Sequence, residues 1–358
     1  MPIRPLERAD VPAAAALFRR TIHDDSAQAG IERLFEAILF DDPWSDPELP
    51  SLASVDDEGR LVGLFSRCTR RFLLDDEPVR IAMPIHFCVD PEARGRAVAA
   101  LLAARLLGGP QDASHTDGAD LPTRKLWGAM KGHALQLESL EWTRVLRPAS
   151  YWQDRVVGRR GSQRLTAAAR RLAAPLDGLA ARAAGEPTEG LPDGVTDAPL
   201  TPAALVAARD AVSGWARLRP AYDEPFAAWL LEQLAQTTSY GRLAARIVTR
   251  DGEVLGWHVG LVEPHGVAEA LQIAARPEAS ELVFDAFLAH ARGLGAVAAR
   301  GRLEAPLTDA ITQQRSVLRR GHWALMRARR QELLDATLLG QALLTRLDTN
   351  VWMDSHGR

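Results

Sequence analysis

The sequence predicts an α+β fold built twice along 358 residues. Three observations carry that prediction. Apolar runs bounded by tight turns alternate with stretches whose apolar residues recur at three-and-four spacing, the periods of strands and helices. One stretch, Ile81 to Leu107, joins a strand to a helix through a short polar turn. A turn-and-strand pattern of the first half also returns in the second, as a tandem duplication would produce.

The first element is a short strand, Ile3-Arg4-Pro5. Asp10 reads as the N-cap of the helix that follows, with Pro12 in its first turn, where a missing N–H costs nothing. Ala15, Leu17 and Phe18 continue that helix's apolar face. A second helix over Gly30 to Phe40 carries Ile31, Leu34, Phe35, Ile38 and Leu39 on one side. Three strands joined by tight turns come next: Leu52 to Val55, Leu61 to Leu74 after Asp56-Asp57-Glu58-Gly59, and Val79 to Val89 after Asp75-Asp76-Glu77-Pro78. The last of these ends in Asp90-Pro91-Glu92, and Arg94-Gly95-Arg96 opens a helix apolar at Val98, Leu101, Leu102 and Leu106. Gly108-Gly109-Pro110 stops it.

A strand that feeds a short turn and then a free helix N-terminus is physically an anion site. The first amides of a helix lack partners inside it, and the macrodipole favours negative charge there. Arg94 and Arg96 add two guanidinium groups suited to phosphate oxygens.

This stretch resembles the cofactor motif of the GNAT acyltransferase superfamily. In that family a strand ending in Val precedes Arg or Gln, then x-x-Gly-x-Gly or Ala, and backbone amides bind the pyrophosphate of an acyl-coenzyme A. On that pattern Arg94 takes the Arg/Gln position, Gly95 and Arg96 the free ones, and Ala99 the Gly-or-Ala position. Ala97 stands where the family usually has Gly, and it is expected to begin a right-handed helix, because Ala is the best helix former. The resemblance covers about residues 1–155 by order of elements, with Val89 to Ala99 specific in sequence. It implies two tandem GNAT-like domains, each a mixed, mostly antiparallel sheet flanked by helices. The expected contacts of acetyl-CoA or another acyl-CoA are Phe87, Cys88, Val89, Arg94, Gly95, Arg96, Ala97, Val98 and Ala99.

The second copy is announced by Asp251-Gly252-Glu253-Val254-Leu255-Gly256, which echoes Glu58-Gly59-Arg60-Leu61-Val62-Gly63. Each is followed by a further strand, a Pro-Glu pair (Pro91-Glu92, Pro277-Glu278) and a helix, the second over Leu282 to Leu294. In the second copy Ser280 stands at the place of Arg94 and Glu281 at that of Gly95. A carboxylate there satisfies the dipole itself and repels a pyrophosphate. The expected organisation is therefore an N-terminal domain, 1–155, with the acyl-CoA site, an Arg/Ala-rich helical linker, 156–195, and a degenerate C-terminal domain, 196–358. The linker's Arg159, Arg160, Arg164, Arg170 and Arg171 read as a solvated helix face, with an anionic surface or acidic carrier partner as the rival, and Gly185-Glu186-Pro187 and Gly190-Leu191-Pro192 read as linker.

Composition narrows the class of partner. A net charge of −3 leaves no global basic field to gather nucleic acid, which also argues against an aminoacyl-tRNA substrate. No apolar run approaches a membrane span, and charged residues interrupt the N-terminus where a signal peptide needs an apolar core. Two cysteines, Cys68 and Cys88, make no disulfide framework. Cytoplasmic localisation follows as an expectation. Lys125 and Lys131 are the only lysines, and with the abundant Ala this reads as bacterial GC-rich codon usage. His133, His258, His265, His290 and His322 show no His-x-x-x-His or Cys-x-x-Cys spacing, so no metal is expected.

Transfer of an acyl group from a thioester to an amine needs a deprotonated amine, a stabilised oxyanion and a protonated leaving thiolate. The resemblance puts the oxyanion donor among the amides of Phe87, Cys88 and Val89. It also aligns Trp127 with the family's thiolate-protonating Tyr, and indole is no acid at neutral pH. Candidate bases are His86, inside a strand, and His115 on the strand expected next. His23-Asp24-Asp25 is a candidate for holding a cationic amine. Cys88 as a covalent acyl carrier is disfavoured, because direct transfer needs no nucleophile. The nine Trp, among them Trp142, Trp152, Trp215 and Trp229, read as core and interface packing, with a stacking platform for an acceptor as the rival. The expected function is transfer of an acetyl or short acyl group to a small-molecule amine such as an amino sugar. The alternative is a catalytically inactive acyl-CoA-binding or scaffolding protein of the same fold, suggested by Ala97 and Trp127.

Overall fold

The structure, a computed structural model, describes residues 2–22, 27–93, 97–156, 177, 191–237 and 241–353. The first copy runs β1 (Ile3–Pro5), α1 (Val11–Ile22), α2 (Gln28–Leu39), β2 (Leu52–Val55), β3 (Leu61–Leu74), β4 (Glu77–Val89), α3 (Val98–Leu107), β5 (Ala113–Ala119), α4 (Leu121–Ala129), β6 (His133–Leu135), β7 (Leu140–Val145) and α5 (Pro148–Val156). The second runs β8 (Val195–Pro199), α6 (Pro202–Ser213), β9 (Leu218–Pro220), α7 (Glu224–Gln236), β10 (Arg242–Arg250), β11 (Glu253–Val262), β12 (Val267–Ala275), α8 (Ser280–Gly293), β13 (Ala298–Arg302), α9 (Thr308–Gln313), β14 (Val317–Arg320), β15 (Trp323–Ala328) and α10 (Gln331–Leu338). The strands and helices expected of the first copy are present within a few residues of their predicted ends. Asp10 is an exception in role: it closes a 3-10 turn by accepting the Glu7 N–H at 2.9 Å and both Arg4 guanidinium nitrogens at 2.6 and 2.8 Å.

Two mixed, mostly antiparallel sheets result. One is ordered β1-β2-β3-β4-β5-β15-β6, with β9 also paired to β3; the other is ordered β8-β10-β11-β12-β13-β7-β14. Written in this way, and leaving β9 aside, the seven-strand orders correspond strand for strand. In each, a long antiparallel hairpin (β3–β4, β11–β12) leads to a parallel neighbour (β5, β13), and the sheet is completed by the final strand of the other copy. β15 lies between β5 and β6, and β7 between β13 and β14.

That exchange corrects the expected boundaries. The compact units are residues 1–139, 214–239 and 321–358 for the first, and 140–213 and 240–320 for the second. Contiguous blocks 1–155 and 196–358 would leave β7 and β15 with no sheet to join. Most of the predicted linker, 156–195, falls outside the described residues.

The glycine echo has a packing cause. Gly59 and Gly252 occupy the left-handed region at φ 78° and 85° in equivalent turns. Four residues on, Gly63 lies under α3, where a Cβ would sit 2.9 Å from Leu102 Cδ1 and Val98 Cγ1. Gly256 lies under α8, where a Cβ would sit 3.0 Å from Val283 Cγ2 and 2.3 Å from the Ala274 carbonyl oxygen. Each helix thus beds directly on its strand. In the first unit Val98, Leu102 and Leu106 pack with Leu52, Phe65, Trp127 and Leu325. In the second, Val283, Phe284 and Phe287 pack with Trp142, Ala268 and Ala299. Among the described residues no helix is long and apolar enough to cross a membrane.

Candidate functional site

In the first unit β4 and β5 pair in parallel at only two places, Ile81 with Ala113 and Ala82 with Ser114. From Met83 and His115 onward both strands continue but no longer form a ladder with each other. In an extended strand alternate amides face alternate sides. Some N–H groups between Met83 and Val89 therefore face the β5 side, where no ladder uses them. This opening ends at the turn that leads to α3.

The turn is built by Asp90. Its N–H donates to the Val62 carbonyl at 2.9 Å, its carboxylate accepts the Glu92 N–H at 3.0 Å, and its carbonyl accepts the Ala93 N–H at 2.9 Å. Arg20 of α1 bonds the same carboxylate at 2.7 Å and, with the Glu92 amide, holds its pKa below the usual range. Arg94, Gly95 and Arg96 lie outside the described residues, as do His23, Asp24 and Asp25. Ala97 is described, and its backbone is left-handed, with φ 58° and ψ 10°. The expectation of a right-handed first turn is therefore corrected: Ala97 is the N-cap, in a conformation that glycine adopts without strain. The first bond inside α3 runs from the Leu101 N–H to the Ala97 carbonyl, so the amides of Val98, Ala99 and Ala100 are not used within the helix.

The end of β4 is firmly held. Phe87 stacks on Phe65 at 4.3 Å, Cys88 is buried, and Val89 pairs with Gly63. Neither cysteine is disulfide-bonded, and burial pushes the Cys68 thiol up to about 12.

The two candidate bases differ in setting. His86 is 3% exposed, and its ring packs against Phe18 and Phe35 at 4.8 and 4.9 Å. Its Nδ1 lies 3.0 Å from Ser66 Oγ, which also accepts the His86 N–H at 2.9 Å. That is the setting of a core histidine. His115 is buried in β5 at the point where the ladder with β4 stops. Trp127 is 1% exposed and belongs to the core beneath α3, so its indole is spent on packing.

Sequence reasoning missed the residues that flank β5 from the far end of the chain. Thr116 Oγ1 donates to Asn350 Oδ1 at 3.1 Å, and Thr349 Oγ1 donates to Asp117 Oδ1 at 2.9 Å. The Arg346 guanidinium lies 3.9 Å from Asp117, and Tyr222 donates to Asp348 at 2.5 Å. Arg346, Asp348, Thr349 and Asn350 stand more than two hundred positions from β5, which left no local signal.

In the second unit the equivalent helix start is different. Ala279 has φ −110°, Ser280 Oγ donates to the Pro277 carbonyl at 2.6 Å, and Glu281 stands in the first turn of α8. The histidines read as scattered include two, His258 and His290, that the fold brings together with Asp197.

No protein-family model matches the chain, and no curated protein matches it in sequence. Solved structures match its fold, which is that of the GCN5-related N-acetyltransferases and their N-acyltransferase relatives, as the motif implied. One match is a probable N-acyltransferase from Enterococcus faecalis V583, with a TM-score of 0.59 and 11% identity, covering 91% of this chain and 72% of that one. Another is a GCN5-related N-acetyltransferase from Anabaena variabilis ATCC 29413, with a TM-score of 0.59 and 11% identity, covering 94% and 74%. A third is the Saccharomyces cerevisiae N-myristoyltransferase with bound myristoyl-CoA, with a TM-score of 0.50 and 11% identity, covering 91% and 78%.

Proposed function

We propose that this protein is an acyl-CoA-dependent N-acyltransferase with its coenzyme site in the first unit, acting on a small-molecule amine. The observation that carries the reading is the loss of the β4–β5 ladder after Ala82, directly beside a helix whose first amides have no partner within the helix. An extended thioester laid in that opening runs along the part of β4 that no longer pairs with β5. Its pyrophosphate then falls at the N-terminus of α3, where Arg94 and Arg96 supply charge. As the amine attacks the carbonyl, negative charge grows on the carbonyl oxygen, and a fixed β4 amide stabilises it with no reorganisation. Phe87, Cys88 and Val89 are our candidate donors of that amide.

His115 is our proton acceptor for the amine, since it stands where β5 parts from β4, whereas His86 is taken up by Ser66 and two phenylalanine rings. The burial of Trp127 leaves thiolate protonation to another group or to water. The same burial favours the second reading, an acyl-CoA-binding protein without turnover. An acetyl or short acyl chain, and a cytoplasmic setting, remain our proposals alongside the amine.

The test is thermal unfolding with and without acetyl-CoA. A ligand at a hundred times its Kd adds about 2.7 kcal/mol to the state that binds it, on the order of 5 °C for a chain of this size. Arg94→Glu is expected to abolish that shift and Ser280→Glu to preserve it. The opposite pattern would move the site to the second unit, and no shift in the wild type would sink the proposal. Thiol release with an amine panel, lost in His115→Asn, separates the enzyme from the binding protein.

A further inference from the structure

In the second unit, His258 of β11 is completely buried, and neither ring nitrogen has a hydrogen-bond partner. Its ring lies 5.5 Å from that of His290 on α8, whose Nδ1 is also buried without a partner. A buried imidazole normally bonds at least one nitrogen, because an unmet donor or acceptor costs about 1–3 kcal/mol. Two in contact point to a missing third party. Asp197 of β8 completes the group: one ligand atom from each of the three residues lies within 4.8 Å of the others.

The placement follows from the sheet. Arg246 of β10 stands opposite His258 in the ladder and opposite Pro199 of β8, so it lies between the two strands that carry ligands. Its guanidinium holds the Asp197 carboxylate at 2.9 and 3.1 Å and the Asp197 carbonyl at 3.0 Å. A carboxylate has about four lone-pair sites, so two remain after that pairing. Such a partner orients a ligating carboxylate in the way outer-shell groups do, while its positive charge moderates affinity for a cation.

We propose that Asp197, His258 and His290 form a site for one divalent transition-metal ion, with Zn2+ as its probe. Two imidazoles and a carboxylate are a three-ligand set that Zn2+ accepts, with water in the fourth position. Donor atoms around a tetrahedral ion at about 2.0–2.1 Å lie roughly 3.3 Å apart, so binding draws the three side chains inward by on the order of 1 Å. The ion joins an edge strand, a central strand and the helix that covers them.

The experiment uses the full chain stripped by a chelator and titrated with Zn2+ against a chromophoric competitor, then with Co2+. One equivalent is expected to bind, to raise the unfolding temperature by several degrees and to give the strong visible bands of four-coordinate Co2+. His290→Ala and Asp197→Asn are expected to weaken binding tenfold or more without changing the circular dichroism. Binding that both variants leave intact would assign the ion to other histidines and overturn the proposal, as would no stoichiometric binding by the wild type. If a variant does not fold, X-ray absorption of the wild-type zinc complex decides: two imidazoles with an oxygen shell support the site, and fewer than two imidazoles refute it.

Discussion

At Ala97 the chain enters α3 with a left-handed backbone that costs an L-residue roughly 1–2 kcal/mol. Glycine relieves that strain but widens the unfolded ensemble, at a cost of about 0.4–1 kcal/mol. Ala97→Gly is therefore expected to stabilise the protein by about 0.5–1 kcal/mol and to leave acetyl-CoA binding intact, read from unfolding midpoints with and without ligand. A loss of stability would mean that the Cβ makes a favourable contact that outweighs the strain. The same residue shows the limit of reasoning from propensity. Ala is a strong helix former, but the N-cap is not yet helix, and its backbone angles are set by how the turn after β4 must meet α3. His86 makes a parallel point: its residue type suggested a base, and its neighbours Phe18, Phe35 and Ser66 make it part of the core.

At the scale of elements, the two strand–helix units share one packing device and differ in how hard it is to perturb. A Cβ on Gly63 meets side-chain atoms, Leu102 Cδ1 and Val98 Cγ1 on α3 and, at 3.2 Å, Ser54 Cβ on β2, whereas a Cβ on Gly256 meets the backbone oxygen of Ala274. Gly63→Ala should thus cost under about 1 kcal/mol and Gly256→Ala about 1–3 kcal/mol, the range for overpacking. Urea denaturation with an unchanged slope would measure both, and equal costs would show that β11 yields as easily as a side chain. The helix starts diverge as well. α3 begins at a left-handed residue with unused amides, while α8 begins among Ser280 and Glu281. The charge difference was legible in the sequence, since a carboxylate in place of Gly95 is a local feature, whereas the left-handed start of α3 was not. The positions of Thr349 and Asn350 beside β5 were not, because nothing local to either segment encodes the pairing.

At the scale of the whole molecule, each sheet depends on the final strand of the other copy. A fragment of residues 1–155 would carry β5 and β6 without β15, and β7 without β13 or β14. It is expected to lack a cooperative unfolding transition by circular dichroism, and a fragment that melted sharply would show that the exchange is dispensable. The sequence by itself determined the periodic elements, the duplicated order, the glycines beneath the two helices and the candidate phosphate-binding turn. Each of these is written in residues a few positions apart, through backbone preference, apolar spacing and charge. Tertiary structure alone decided which sheet β7 and β15 complete, which histidines are core, and that Asp197, His258 and His290 meet. Those outcomes depend on pairing between distant segments, where hydrogen-bond ladders and burial select a partner that no local pattern names.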